Sequence, residues 1–490
     1  MKKIVTVVIV IISILWVGTT WFSANRTEAI FNEMIAETKQ KAAESFPFME
    51  IERLSFEQGF LKSKARTRIL LSLHPVLVGQ DEPIEVIVDH TIYNGPVMMT
   101  PKGLMIGASY IDTTLDKKSL SPDLQDFFNH VFKRKQPVSH TTKVGMDGRL
   151  EFEVEVAPIE MDKKALAALF HTGTPSDENV KITLAGISGH FISDSMGTKL
   201  KGTCNVGPAE IEGVKEGKEL QISMAASVVK MDIDKLYRNA LLDGSVEIEV
   251  PEIAFSEKGN AKINMLGLGI KTKSGQREGV YAGMVAFDIE KLKVENPIST
   301  REIPESKIHL GLDFTGLDRQ DVMNLVDSSQ KIRTERLKIL GFSDADSEHL
   351  TEPLIASMED YYRTLGETVK QGVSIDTRFK LSTEKGHTLF NLDLEYIGAR
   401  KLLDLETIRD LISALKGQVM IIMDKSLIAG TELEQAIGIP TAMGFAIDKG
   451  TTYESVATLG NGELKINDQP MPILDMMGEM ADQPLPWKGL

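Results

Sequence analysis

The sequence predicts an α+β protein dominated by β-structure, with an N-terminal transmembrane helix followed by a long, curved antiparallel sheet and a few packed helices. Three observations predict it. Between Lys3 and Arg26 lie twenty-two consecutive residues without a charge. Beyond Glu50, apolar residues recur at every second position with polar or charged residues between them. Helical spacing returns only in separated stretches, without the strand-helix alternation of a doubly wound sheet.

The uncharged run is almost wholly aliphatic from Ile4 to Val17. At about 1.5 Å per residue it crosses the roughly 30 Å hydrocarbon layer, and Trp16, Trp21 and Phe22 fall toward its far end, where amphipathic aromatics favour the interface. A cleavable signal peptide needs small residues in an A-x-A-like arrangement, whereas Thr19-Thr20-Trp21-Phe22-Ser23-Ala24 places bulky rings there. The run therefore reads as an uncleaved signal anchor. Lys2 and Lys3 hold the N-terminus in the cytoplasm, and the body from Arg26 onward crosses the membrane. No later stretch reaches eighteen uninterrupted apolar residues, so a single pass is expected.

The chain has 55 basic against 70 acidic residues, a net charge of −15, and two of the lysines precede the anchor. That balance argues against nucleic acid and against bulk adsorption on anionic lipid. Cys204 is the only cysteine in 490 residues, so no intramolecular disulfide exists. A body this long buries enough core without one, and export to a bacterial periplasm fits better than a disulfide-rich lumen.

Residues 1–25 read as cytoplasmic tip and anchor, and 26–46 as an amphipathic stalk helix with Ile30, Phe31, Met34 and Ile35 on one face. Residues 47–296 read as a β-rich region, and 297–490 as a second α+β region closing with a β-hairpin. The clearest strands are Arg149 to Val156, Val180 to Leu184, Val246 to Val250, Ile308 to Phe314 and Phe390 to Tyr396. Asp147-Gly148 and Asn461-Gly462 mark hairpin turns that need positive φ. Helices are expected over Met161–His171, Leu317 to Leu340 with Asp318 as N-cap, Thr351 to Gly372 with Thr351 as N-cap, and Leu405–Leu415. Breaks are expected near Glu295-Asn296-Pro297 and in the loop Ser343 to Glu348.

Several local patterns, taken in order, resemble the bacterial YdgA-like family (domain of unknown function 945). They are the Lys-flanked anchor, Phe56-x-x-Gly59-Phe60-Leu61-x-Ser63, His90 to Pro96, Ala108 to Leu115, and the closing Ala457 to Asp468 with Met471. Family members usually show His-Gly-Pro where this chain has Asn94-Gly95-Pro96, so Asn serves the local geometry as well. The resemblance implies an inner-membrane-anchored envelope protein with a periplasmic β-rich body. It implies no reaction.

Catalytic, cofactor and metal sites find no intact pattern. Gly186-Ile187-Ser188-Gly189-His190 misses the G-x-S-x-G spacing by one residue, and Ser188 and His190, two apart in a strand, share a face without forming a nucleophile–base pair. Gly267-Leu268-Gly269 lacks the third glycine and following helix of a dinucleotide site. The nine histidines show no metal-ligand spacing, and Asp344, Asp346, Glu348 and His349 read as a solvated acidic loop. Cys204 reads as a small buried hydrophobe.

The 22 methionines cluster at Met98-Met99, Met420 to Met423 and Met471 to Met480. Ordinary core filling accounts for such clusters, and an apolar trough lined by Leu, Ile and Met is the functional alternative. The sequence thus points to a non-enzymatic envelope protein that binds lipid or another apolar ligand or serves as a scaffold, with a homo-oligomer or an envelope protein as its partner. A membrane-anchored hydrolase of envelope polymer or lipid is the alternative, working through Ser188 and His190 or a carboxylate pair.

Overall fold

The computed structural model describes residues 2–45, 48–72, 83–165, 180–194, 197–215, 218–237, 241–258, 262–295, 304–341 and 347–485. The chain divides into two compact units, Met1–Gly217 with Val228–Asn239 and Arg333–Thr351, and Lys218–Ser227 with Ala240–Ile332 and Glu352–Leu490. Both breaks expected from sequence, near 296 and in 343–348, fall on or beside residues outside the described ones.

The first unit holds β1 (Met49–Glu57), β2 (Lys62–Leu71), β3 (Ile84–Asn94), β4 (Val97–Thr100), β5 (Gly103–Ile106), β6 (Ser109–Leu115), β7 (Val138–Val144), β8 (Leu150–Val156), β9 (Ile159–Met161), β10 (Lys181–Leu184), β11 (Ile187–Ser193), β12 (Leu200–Val206) and β13 (Ala209–Lys215). An antiparallel ladder runs β1-β2-β3-β6-β7-β8-β11-β12. A shorter one runs β9-β10-β13, and β4 pairs only with β5. β15 (Ser227–Tyr237) also falls almost wholly in the first unit, and the second holds β14 (Lys218–Met224), β16 (Leu241–Glu257), β17 (Lys262–Arg277), β18 (Val280–Glu295), β19 (Ser306–Leu317), β20 (Ser374–Thr383), β21 (Gly386–Tyr396), β22 (Leu415–Asp424), β23 (Ile447–Asp448), β24 (Thr452–Gly460), β25 (Glu463–Ile466) and β26 (Gln469–Met471). Its antiparallel ladder is β14-β16-β17-β18-β19-β20-β21-β22-β24-β25-β26.

The expected alternation accounts for these ladders. In β8, Phe152 and Val154 stand opposite Phe191 and Gly189 on one face, while Glu151 on the other reaches Lys143 Nζ at 3.2 Å. Asn461 and Gly462 both take positive φ between β24 and β25, the geometry an Asn-Gly hairpin needs.

Helix α1 runs Lys2–Ser45 without a break. From Trp16 onward one side lies on the first unit. Phe31, only 2% exposed, packs with Ala65, Ile92 and Ile111, and Ile35 and Phe56 close over them. Of the expected apolar stripe, Phe31 and Ile35 dock, whereas Ile30 and Met34 stay exposed at 58% and 38%. The side chains of residues 4–15, most of the anchor's aliphatic run, lie outside the described ones; among the described residues no helix is long and apolar enough to cross a membrane.

The remaining helices depart from expectation in detail. Helix α2 (Pro122–Val131) was not anticipated, although Ser121 as N-cap followed by Pro122 carries its start signal. Helix α3 (Arg319–Gly341) is where the spacing put it, with Asp318 Oδ1 accepting from Gln320 N at 2.8 Å. Helix α4 (Ser347–Thr368) begins before Thr351, so Thr351 is not its cap, and Pro353 sits inside it. The expected helix over Leu405–Leu415 shrinks to α5 (Ile408–Ser413), because the Thr407–Asp410 capping box starts it late and β22 takes Leu415. Most of Met161–His171 lies outside the described residues, and Met161 itself ends β9.

Candidate apolar binding face

Apolar residues at every second position form a continuous surface only where neighbouring strands keep them in register. The second unit does so across seven strands. Ile248, Ile270, Phe287, Leu310, Phe379, Phe390 and Ile421 stand in one cross-strand row from β16 to β22. A flanking row on the same face carries Val250, Leu268, Ile289, Ile308, Leu381, Thr388 and Met423. With strands about 4.8 Å apart, each row is about 29 Å long. That is roughly twice the ~15 Å thickness that acyl chains occupy in one leaflet.

This face is open. Val285, Leu310, Leu312, Ile375 and Ile421 are between 38% and 41% exposed, whereas a face packed against a second layer buries such residues. The reverse face carries the ions. His309 Nδ1 lies 2.7 Å from Asp288 Oδ1, Arg378 Nε 3.0 Å from Asp376 Oδ1, and Lys271 Nζ 2.5 Å from Glu247 Oε1. These solvated pairs add little stability and mark the side turned to water.

The apolar phase slips by one residue at one level, between Val250 and Ile253, Leu268 and Met265, and Ile289 and Leu292. The ladder is interrupted there: pairing passes from Val250–Leu268 to Glu252–Leu266 and from Ile289–Ile308 to Leu292–Ser306. Pro251 offers no amide hydrogen for the ladder, and Gly267 has φ +63°. An extra residue in a strand returns the alternation to its former face. A Cβ on Gly267 would lie 2.5 Å from Glu290 Cγ, so the position takes glycine, while the extra residue lies in β18, between Ile289 and Leu292.

The first unit uses its equivalent surface differently. His90 and His140 point to the α1 side among Ala65, Thr113 and Val154, and Phe31 stands edge-on to the His90 ring at 5.2 Å. His90 Nε2 is 2.8 Å from Thr67 Oγ1 and Nδ1 is 3.0 Å from Thr113 Oγ1. Hydroxyls that donate or accept suit a neutral imidazole, and burial, helped by His140, lowers the His90 pKa to about 4. Burial lowers that of His140 as well. Sequence reasoning gave this pair no role; its signal was two histidines at apolar-phase strand positions.

Asn94 was also underrated. It is 1% exposed; Thr27 Oγ1 donates to its Oδ1 at 2.9 Å, and its Nδ2 donates to Gly59 O and Ser63 Oγ. The Asn94-Gly95-Pro96 turn thus fastens α1 to the sheet. Ser188 and His190 stand together on the exposed face of β11, with His190 Nε2 3.7 Å from Glu151 Oε1. Cys204 is half-buried opposite Gly189. The loop containing Asp344 and Asp346, the side chains of Glu348 and His349, and His74 and His171 lie outside the described residues. The methionines disperse: Met423 joins the open face, Met98 is buried, and Met99, Met476 and Met480 are exposed. The open face is lined chiefly by Ile, Leu, Phe and Val, not by Met.

The architecture defines a class: a long antiparallel β-protein with one apolar face closed by its own N-terminal helix and another left open. Residues 1–473 match the family described as bacterial protein of unknown function (DUF945), and the chain belongs to that family. No curated protein matches it. No solved structure matches it.

Proposed function

We propose that this chain is a single-pass protein of the bacterial inner membrane, anchored by the apolar run from Ile4, with its N-terminus cytoplasmic and its body periplasmic. Its open sheet face binds the acyl chains of a lipid without changing them chemically. The observation that carries this reading is the uninterrupted apolar row from Ile248 to Ile421, none of whose members is buried and two of which, Leu310 and Ile421, are about two-fifths exposed, in a chain that is otherwise strongly acidic. Leaving that much aliphatic surface in water is costly at about 25 cal/mol per Å², and a lipid chain would remove the cost. An anchor keeps the face at high local concentration near lipid.

The test uses the full chain, because Trp16, Ala24 and Phe31 of α1 pack on the body and trimming the anchor would cut into that packing. A photo-reactive phenylalanine analogue replaces Leu310, Leu312 or Ile421 on the open face, or Lys380 on the reverse face, in living bacteria. Lipid adducts at the first three positions and none at the fourth are expected. Adducts only to protein would move the weight to a scaffold, and water quenching everywhere would remove the lipid reading.

A further inference from the structure

The β4–β5 hairpin has two different faces. Cross-strand pairs Val97–Ile106 and Met99–Leu104 put four apolar side chains on one side. Met99, Leu104 and Ile106 are 69% to 73% exposed. The other side is settled into the first unit: Met98 and Thr100 are buried, and Thr100 Oγ1 donates to Gly103 O. At the turn, Lys102 is drawn back to Glu153. An isolated two-stranded hairpin does not maintain a bare apolar face in water without a reason.

Its neighbour supplies one. Trp16 Nε1 donates to Val97 O at 3.3 Å, and the Trp16 ring meets Phe60 edge-on at 6.4 Å. Gly95, just before β4, lets Thr20 approach so closely that a Cβ there would lie 2.5 Å from Thr20 Oγ1. The hairpin therefore stands beside α1 at the level of residues 16–20. Starting from Ile4, about twenty residues cross the hydrocarbon layer, so the span ends near Ser23. Trp16 lies about 10 Å short of that exit at ~1.5 Å per residue. A structure packed against Trp16 is at the depth of the outer leaflet, and the four side chains it presents carry no charge that the leaflet would oppose.

We propose that the bare face of the β4–β5 hairpin, with Phe60 beside it, is set into the periplasmic leaflet of the bilayer that α1 spans. This rests on the anchor reading above. A helix alone leaves the body free to rotate about its axis. A second apolar contact at the same depth fixes the rotation and height of the first unit, and the Asn94-Gly95-Pro96 turn is the joint between the two contacts.

The experiment places single cysteines in the full chain after Cys204→Ala: Met99→Cys and Leu104→Cys on the hairpin, Ile9→Cys in the anchor and Lys135→Cys on an exposed loop. Each is labelled with an environment-sensitive nitrobenzoxadiazole dye and reconstituted into phosphatidylethanolamine–phosphatidylglycerol vesicles containing a nitroxide-labelled lipid. The hairpin labels are expected to shift to the blue and to be quenched several-fold more than the Lys135→Cys label, approaching the Ile9→Cys label. Hairpin labels that behave like the loop label while the anchor label is quenched would overturn this inference and leave the anchor standing. An unquenched anchor label would overturn both. Hairpin labels shielded from nitroxide lipid and aqueous iodide alike would mean that protein covers the face, which also overturns leaflet insertion.

Discussion

In the first unit the apolar face of β2, β3 and β6 is closed by α1, so that Ala65, Ile92 and Phe31 are almost wholly buried; in the second, the apolar face of β16 to β22 keeps Leu310, Leu312 and Ile421 about two-fifths exposed. The strands of both units alternate in the same way. Alternation decides which residues share a face, and a separate element decides whether that face becomes core or surface. The covered face holds the most buried histidine and asparagine contacts. In its three central rows the open face holds no charged side chain, its polar members being Thr272, Thr377 and Thr388.

The largest test of this contrast is Phe31→Ala. Removing a fully buried ring leaves a cavity under α1 and is expected to cost about 3–5 kcal/mol, read as a drop in the denaturant midpoint of the full chain in detergent. A loss below about 1 kcal/mol would show that α1 does not close this face.

Acid attacks the same region. His90 gains a proton near pH 6.5 when unfolded but only near pH 4 when folded, so the unfolded chain binds more protons between those values and stability falls as pH drops through that window. The loss is at most about 3 kcal/mol by pH 4. His90→Asn should flatten the pH dependence of the melting temperature between pH 6.5 and 4; an unchanged slope would assign it to other groups.

Asn94→Ala removes three buried hydrogen bonds, to Thr27, Gly59 and Ser63, while Thr27 keeps Ser23 O as a partner and Ser63 and Gly59 keep each other, and is expected to cost about 1–3 kcal/mol. Asn94→His, which keeps a hydrogen-bonding side chain, should restore part of it. Equal losses for both variants would show that the turn does not depend on a hydrogen-bonding side chain.

The smallest stability effect belongs to the open face. Leu310→Ser removes a residue already 41% exposed and should change stability by less than about 1 kcal/mol. It should nonetheless reduce lipid crosslinking at Ile421, three strands along the same row. A large destabilisation without change in crosslinking would falsify the division into core face and binding face.

Much of the fold was legible in the residues. Strand after strand follows from period-two alternation, the hairpin at Asn461-Gly462 follows from its turn chemistry, and α3 follows from Asp318 and the spacing beyond it. The helices that were misjudged failed at their ends, where the expected cap Thr351 lies inside a helix that starts at Ser347 and the Thr407–Asp410 box displaced another start. The candidate site was less legible. Methionine clusters suggested the lining, yet the open face is built mainly from the Ile, Leu, Phe and Val of strands distant in sequence. No local pattern records that Ile248 and Ile421 end in one row.

The sequence by itself determined the strands, the apolar run near the N-terminus, the absence of disulfides and the acidic balance, because each depends on residue identity and short-range spacing. Only the tertiary structure decided which apolar face is covered, that Asn94 fastens α1, and that the β4–β5 hairpin stands bare beside Trp16. Those outcomes depend on strand register and on which element comes to rest on a face, and the same alternation satisfies a covered face and an open one equally well.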